Sequence, residues 1–127
     1  MYYLLNMKIL LLIIFFFTLV SADDTLTVWK SPTCKCCNEW IKHLEKNGIK
    51  VLKSNTGNLK ISKKLNINRK FSSCHTALID GYVIEGHVPF QDIKKLLKEK
   101  PQNAIGLSVP GMPIGSPGMD NPVYGKK

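Results

Sequence analysis

The pattern of apolar and polar positions after residue 24 predicts a β-α-β unit. Residues 26–29 alternate and are rich in β-forming side chains, which predicts a first strand. From Cys34 the spacing becomes helical, and the apolar face is formed by Cys37, Trp40, Ile41 and Leu44. Gly48 follows as a helix stop signal, and residues 49–52 predict a second strand. This order favours a right-handed crossover between two parallel strands.

The second half of the chain predicts a short helix, a β-hairpin and a last helix. Residues 59–65 form a lysine-rich candidate helix, and residues 76–79 and 82–85 form two strands joined by an Asp-Gly turn. Pro89 suits the first turn of the last helix, whose apolar face is formed by Phe90, Ile93, Leu96 and Leu97. The complete order is that of an α/β, thioredoxin-like domain.

A tail rich in Gly and Pro follows the last helix and contains Pro-Gly-Met twice, ending at Met112 and Met119. Such a segment cannot be a helix or a central strand. Because its methionines and the apolar side chains of Leu107, Val109 and Ile114 would otherwise be exposed, we expect residues 106–127 to pack on the domain as a flap. A low-complexity linker is the alternative.

The first 22 residues predict an export signal peptide. Lys8 precedes an apolar run at residues 9–20, and the small residues Ser21 and Ala22 suit a cleavage site. The run is short for a membrane span, which needs about 20 apolar residues. An uncleaved anchor is the alternative. We expect residues 23–127 to form one small metal-binding domain with one core.

The net charge of +9 does not by itself identify a partner. A basic chain can bind nucleic acid or an anionic membrane through a clustered patch. Here the lysines are scattered through every predicted element and form no single stripe. We therefore expect an exported domain with a solvated, lysine-rich surface, with no nucleic-acid partner and no membrane contact after signal cleavage.

Four cysteines carry the candidate chemistry. Cys34, Cys36 and Cys37 lie where the first strand leads into the first helix, and Cys74 lies far away in sequence. Adjacent cysteines pair with each other only at high strain, and bridges within residues 34–37 would close loops too small to restrict the unfolded chain. Free N–H groups at a helix N-terminus stabilise thiolates. Chemistry or metal binding therefore explains the cluster better than architecture does.

Two interpretations of the cysteine cluster stay open. Cys34 and Cys37 have the C-x-x-C spacing of thioredoxin-type redox motifs, with Cys34 as nucleophile and Cys37 as resolving thiol. A dithiol has no need of the third thiol, Cys36, and risks mispairing with it, whereas a soft cation needs several thiolates. We therefore favour a metal-binding protein over a thiol–disulfide oxidoreductase.

A thiol and an imidazole replace the proline that usually faces the C-x-x-C pair in thioredoxin-like folds. No proline lies between Pro32 and Pro89, and the corresponding loop contains Cys74 and His75. We expect both side chains to meet the three clustered cysteines across one cleft. The alternatives are a buried, inert Cys74 and a His75 whose role is structural.

Thiolate and imidazole ligands fit Cu(I) or Zn(II). A zinc ion needs only four of these groups, and clustered thiolates in an exported protein favour copper, with bridging sulfurs able to hold more than one ion. A structural zinc domain is the alternative. Met112 and Met119 carry thioethers suited to Cu(I), and suit packing equally well.

We expect structural roles for four other conspicuous side chains. His43 falls on the polar face of the first helix, and His87 lies in the loop before the last helix. We expect His43 to lie on the surface, His87 to shape its loop, and Trp29 and Trp40 to lie in the core.

Taken together, these motifs resemble the CopG-type copper-resistance family of predicted periplasmic metal-binding proteins. The resemblance rests on Cys34-x-Cys36-Cys37 and on residues 73–77, 81–89 and 110–119. It implies a thioredoxin-like fold, a periplasmic location in Gram-negative bacteria, and exchange of copper with periplasmic donor or acceptor proteins. It also implies copper tolerance through sequestration or redox buffering of Cu(I), with no catalytic residue assigned. The implied ligands are Cys34, Cys36, Cys37, Cys74 and His75.

Overall fold

The β-α-β unit is present near the start of the described chain. The computed structural model describes residues 24–120, so the predicted signal peptide at 1–22 lies outside the described residues. Strand β1 (Thr25–Lys30) leads into helix α1 (Lys35–Lys46), and strand β2 (Lys50–Ser54) returns parallel to β1. Gly48 has a φ of +87°, which confirms the left-handed helix stop.

The remaining predicted elements follow in the predicted order, and a 3₁₀ turn and a fifth strand are added to them. They are helix α2 (Leu59–Lys64), a 3₁₀ turn (Arg69–Phe71), strands β3 (His75–Ile79) and β4 (Tyr82–Glu85), helix α3 (Phe90–Glu99) and strand β5 (Gly106–Ser108). Asp80 and Gly81 join β3 to β4 with φ values of +48° and +78°. Two successive positive φ values define the type I′ turn that Asp-Gly favours. The predicted α/β class, with its hairpin and last helix, is confirmed.

Within residues 24–120 the strands form one sheet in the order β2-β1-β3-β4-β5. The β1–β3 and β3–β4 pairs are antiparallel, and β5 runs parallel to β4 at the edge. Strand β5 was not predicted. It approaches so closely that a Cβ on Gly106 would lie 1.8 Å from the Val83 carbonyl oxygen, so only glycine fits there.

The core lies between the sheet and helices α1 and α3. Trp40, Ile41 and Leu44 from α1 and Ile93 from α3 are fully buried, and the Trp40 indole N–H donates to the Val88 carbonyl at 2.9 Å. The expectation that Trp29 is a core residue was wrong. Alternation along β1 buries positions 26, 28 and 30 and leaves Trp29 half-buried on the other face.

The tail contacts the domain at its two ends. Leu107 and Val109 pack against the core at one end, and Met119 is 3% exposed at the other. Between them Met112 and Ile114 are exposed at 53% and 69%, so the expected burial of these two side chains was wrong. No helix within residues 24–120 is long and apolar enough to cross a membrane.

Candidate metal centre

The N-terminus of α1 positions three sulfur atoms. Cys34 is the N-cap residue, and its Sγ accepts the Cys37 N–H at 3.3 Å. Cys36 follows in the first turn, with its Sγ 3.5 Å from Cys34 Sγ. Cys37 lies on the buried face of the helix. The helix start therefore gathers all three side chains beside the backbone N–H groups of the first turn, which stabilise negative charge on sulfur.

Cys34 and Cys37 form a disulfide in this structure, with their Cα atoms 5.3 Å apart. Thiolates were expected at both positions, and the structure differs because residues three apart at a helix N-terminus bring their sulfurs together. Cys36 and Cys74 are the free cysteines. Reduction of the disulfide is therefore required before all four sulfurs can act as ligands.

Cys74 precedes β3 at the end of the sheet where β1 leads into α1, as expected. Strand β3 pairs antiparallel with β1, so the residue that precedes His75 lies next to the start of α1. The Sγ of Cys74 is 3.5 Å from that of Cys37. The four cysteine sulfurs all lie within 4.8 Å of one another, so the group could hold a metal ion, and thiolates suit soft ions.

His75 is fully buried beside the sulfur atoms. Its Nε2 lies 2.9 Å from the Gly86 carbonyl oxygen, so this nitrogen carries the proton and donates. Its Nδ1 therefore holds a free lone pair, 3.4 Å from Cys74 Sγ. Burial, followed by the nearby His87, lowers the pKa of His75 to about 3, so the ring is neutral at physiological pH.

His87 belongs to the same centre, which the sequence analysis missed. Its Nδ1 donates to the Pro117 carbonyl at 2.7 Å, and its Nε2 lies 3.2 Å from Cys74 Sγ. The register of the predicted hairpin could have revealed that His87 lies opposite Cys74. Thr76 pairs with Glu85, so two positions further out Cys74 and His87 face each other. The interpretation of His87 as a loop-shaping residue was therefore incomplete.

His43 is not a purely surface residue either. It is half-buried on α1, and its Nε2 accepts the Phe90 N–H at 3.1 Å. This contact satisfies one of the free N–H groups at the start of α3. His43 therefore joins two helices away from the cysteines.

The free thiol of Cys74 holds its proton strongly. Burial, followed by the neighbouring Cys36, raises its pKa to about 11. A thiolate is the form that binds metal, so a bound cation must displace this proton. The pKa of His87 is lowered, chiefly by burial, which keeps its ring neutral and available as a ligand.

A buried carboxyl group supports the loop that carries Cys74. Glu85 accepts the Ser73 N–H at 2.8 Å and the Thr76 hydroxyl at 2.7 Å. Asn58 and Ser62 in turn contact the Thr76 hydroxyl at 3.2 Å and 3.0 Å. Burial raises the pKa of Glu85. This network fixes the backbone on either side of Cys74 and was not predicted from sequence.

The tail borders the sulfur atoms with one of its two methionines. Met112 Sδ lies 3.9 Å from Cys36 Sγ, and the preceding Gly111 carbonyl accepts the Ser73 hydroxyl. Met119 is buried, and its role as a ligand stays a prediction. The sulfur side of the centre consists of Cys34, Cys36, Cys37 and Met112, and the nitrogen side consists of His75 and His87. Cys74 belongs to both sides.

The fold and the site define an α/β protein with a cysteine–histidine cluster able to bind metal. Residues 71–119 match a family model described as a protein of unknown function, DUF411. A search of curated proteins found no match.

Two solved structures of the copper resistance protein CopG are similar to this chain. One, described as form 2, is 40% identical with a TM-score of 0.72, covering 81% of this chain and 82% of that one. The other, form 1, is 42% identical with a TM-score of 0.71, covering 77% and 78%. The chain therefore belongs to the CopG family, as the motifs had indicated.

Proposed function

We propose that this protein binds Cu(I) at its sulfur side together with Cys74, and that it sequesters or redox-buffers copper in the periplasm. The observation that carries the proposal is the convergence of four cysteine sulfurs within 4.8 Å of one another. Its relatives are named copper resistance proteins. Export by residues 1–22, and exchange with periplasmic copper donors or acceptors, are parts of the same proposal.

The chemistry of the donor atoms favours copper over zinc. Thiolate and thioether sulfur select Cu(I), and bridging thiolates can hold several ions in a small volume. A structural zinc site closes with four ligands in a tetrahedron. Here the four cysteines, the thioether of Met112 and two imidazoles exceed what one zinc ion needs. A zinc domain remains the less favoured reading.

The Cys34–Cys37 disulfide gives the proposed site two states. The reduced chain offers four thiols to Cu(I), whereas the oxidised chain offers only Cys36 and Cys74. Copper capacity on the sulfur side would therefore depend on the thiol redox state. This dependence supports redox buffering as part of the proposed role.

A thiol–disulfide oxidoreductase is the second candidate, because the disulfide joins the C-x-x-C pair at a helix N-terminus. Under that function the metal-free, reduced protein would reduce insulin with turnover, and Cys36→Ser would leave the rate unchanged. Under copper binding, turnover is weak.

Anaerobic Cu(I) titration of the reduced protein, followed by native mass spectrometry, tests the proposal. We expect more than one Cu(I) ion per chain, bound together, and loss of that stoichiometry in Cys36→Ser. The matched control is His43→Gln, which changes a histidine away from the cysteines. Absence of stoichiometric copper, with ready formation of the Cys34–Cys37 disulfide, would favour the oxidoreductase instead.

A further inference from the structure

The outer edge of strand β5 leaves backbone groups without a strand partner. The Val83 N–H donates to the Ile105 carbonyl at 2.9 Å, and the β4–β5 register continues this ladder through residues 107 and 109. Because alternate residues of a strand bond to opposite neighbours, the N–H and C=O groups of Gly106 and Ser108 point away from β4. Within residues 24–120 no other strand pairs with these groups. An open edge of this kind is a template for a further strand.

An apolar groove of about 360 Å³ lies along the same edge. Val83 and Leu107 from the sheet line it, together with Ile67 and Phe71 from the segment that follows α2. Ile105, which also lines the groove, is 73% exposed, and Phe71 is 44% exposed. Contiguous apolar surface that stays accessible marks a site of interaction with another molecule. The open edge and the groove therefore form one candidate docking surface.

The groove is bordered by positive charge on one side and by no charge on the other. Residues 59–71 carry five basic and no acidic side chains, whereas residues 101–119 carry no charged side chain. None of the five basic side chains forms a salt bridge within the part of the chain that the structure describes. The Lys70 ammonium lies 4.8 Å from the centre of the Phe71 ring. Glu85 also lines the groove, but its carboxyl group is buried and hydrogen-bonded inside the protein. Acidic groups on a partner would therefore complement this border.

We propose that the β5 edge binds an extended apolar segment with acidic side chains, carried by another protein, as a sixth strand of the sheet. Backbone hydrogen bonds to Gly106 and Ser108 supply affinity, and the groove selects apolar side chains at every second position. A second copy of this chain fits less well, since it brings two basic borders together. A membrane surface would cover the free backbone groups without pairing them. The proposal does not rest on copper binding.

Titration of the protein with an acetylated, amidated peptide of sequence Asp-Glu-Val-Thr-Val-Thr-Val-Asp-Glu tests this proposal. The valines of this peptide share one face of a strand, and its ends are acidic. We expect saturable binding that shifts the Gly106 and Ser108 amide signals in nitrogen-15 NMR and slows their solvent exchange by at least about tenfold. Added salt should weaken binding, and a peptide with Lys at every acidic position should bind at least about tenfold more weakly.

N-methylated peptides separate strand addition from apolar or charge attraction alone. One peptide is methylated on its valine nitrogens, and the other is methylated on its threonine nitrogens. Because alternate N–H groups of a strand face opposite edges, only one of the two sets can reach β5. One methylated peptide should therefore lose binding while the other keeps it. The same affinity in both methylated peptides would overturn strand addition, and this test needs no change to the protein.

Variants of the protein locate the surface. Ile105→Asp and Arg69→Glu should each weaken peptide binding by at least about fivefold. The matched controls, Leu52→Asp on the opposite edge strand and Lys98→Glu on α3, change exposed side chains elsewhere and should bind normally. Absence of peptide binding would overturn the proposal. It would also be overturned by binding only to vesicles of phosphatidylglycerol and phosphatidylcholine, or by a dimer that Ile105→Asp abolishes.

Discussion

The two sides of the centre differ in how they are built. The sulfur side stands at a helix N-terminus, where Cys36 and Met112 are accessible and Cys34 and Cys37 can open or close a disulfide. The nitrogen side is fully buried on a hairpin, and backbone carbonyls fix both of its rings. The redox-variable disulfide therefore lies on the helix, whereas the fixed imidazole rings lie on the hairpin. The two sides meet at the Cys74 thiol.

Replacement of Cys74, which joins the two sides, should have the largest effect. Because its sulfur contacts both sides, Cys74→Ser should lower the Cu(I) stoichiometry, and the Cu(I) affinity should fall by more than about tenfold. Cys36→Ser should lower the stoichiometry without changing the contact that Cys74 makes with His87. Parallel Cu(I) titrations of both variants measure the two losses. Equal losses in the two variants would mean that the position of Cys74 between the two sides has no effect on copper binding.

The tail supports the nitrogen side through the hydrogen bond between Pro117 and His87. Gly118 has a φ of +86°, and a Cβ there would lie 2.7 Å from Trp40 N and 2.9 Å from the Cys36 carbonyl oxygen. Gly118→Ala should destabilise the protein by more than about 2 kcal/mol and release the Pro117 contact to His87. Urea unfolding and proteolysis of residues 106–120 measure both effects.

Gly111→Ala is the matched control for the tail. Its φ is +70°, and a Cβ there would meet nothing within 4 Å, so it carries the backbone cost without the collision. We expect about 1–2 kcal/mol from this variant. If both alanine variants cost the same, the tail does not press on α1, and it would be better described as a linker.

Acid should weaken the nitrogen side of the metal-free protein. The pKa of His75 is about 3 instead of 6.5, so between these values the unfolded chain binds a proton that the folded chain excludes. Stability is full above pH 6.5 and falls as pH drops toward 3, by up to about 1.4 kcal/mol per pH unit for each such group. The lowered pKa of His87 acts in the same direction. The raised pKa of Glu85 opposes it above pH 4.5.

Urea midpoints measured across this pH range test the burial of neutral imidazoles. His75→Gln removes one titrating ring, so its stability should depend less steeply on pH than that of the unaltered protein. His43→Gln is the control. If the urea midpoint depended equally on pH in the unaltered protein and in His75→Gln, His75 would not be a buried, neutral imidazole.

Met112→Ala should have the smallest effect on stability and on Cu(I) binding. It tests whether the sulfur side includes the thioether of Met112. Because its side chain is exposed, Met112→Ala should change the free energy of unfolding by no more than about 0.5 kcal/mol. If its thioether holds copper, the Cu(I) off-rate should rise about fivefold, equivalent to roughly 1 kcal/mol. Stopped-flow transfer to a chelator measures it. An unchanged off-rate would limit the sulfur side to cysteines.

The periodicity of the sequence was sufficient for most of the fold. The apolar face of α1, the Asp-Gly hairpin and the apolar face of α3 each follow from local spacing, and each is present. Strand β5 was missed because three residues are too few to show alternation, and its pairing with β4 is a long-range contact. Trp29 was misplaced because hydrophobicity alone does not say which face of a strand is covered.

The candidate site was predictable where side chains carry the signal. The approach of Cys74 to the helix start followed from strand order, and His87 followed from a hairpin register that the sequence analysis did not use. Every residue has a backbone carbonyl, so the sequence does not reveal that those of Gly86 and Pro117 accept from the two imidazoles. The tautomers of His75 and His87 could therefore not be predicted. The spacing of Cys34 and Cys37 suits a disulfide and a metal site equally. The sequence therefore could not show whether the two cysteines are bonded to each other.

Copper K-edge X-ray absorption of the reduced, Cu(I)-loaded protein tests the central claim most directly. Because Cu(I) is assigned to the sulfur side and Cys74, we expect sulfur to dominate the first coordination shell. We also expect Cys36→Ser to lower the sulfur count and His43→Gln to leave it unchanged. A first shell dominated by nitrogen or oxygen, with the same spectrum in Cys36→Ser, would contradict copper binding by the cysteine cluster.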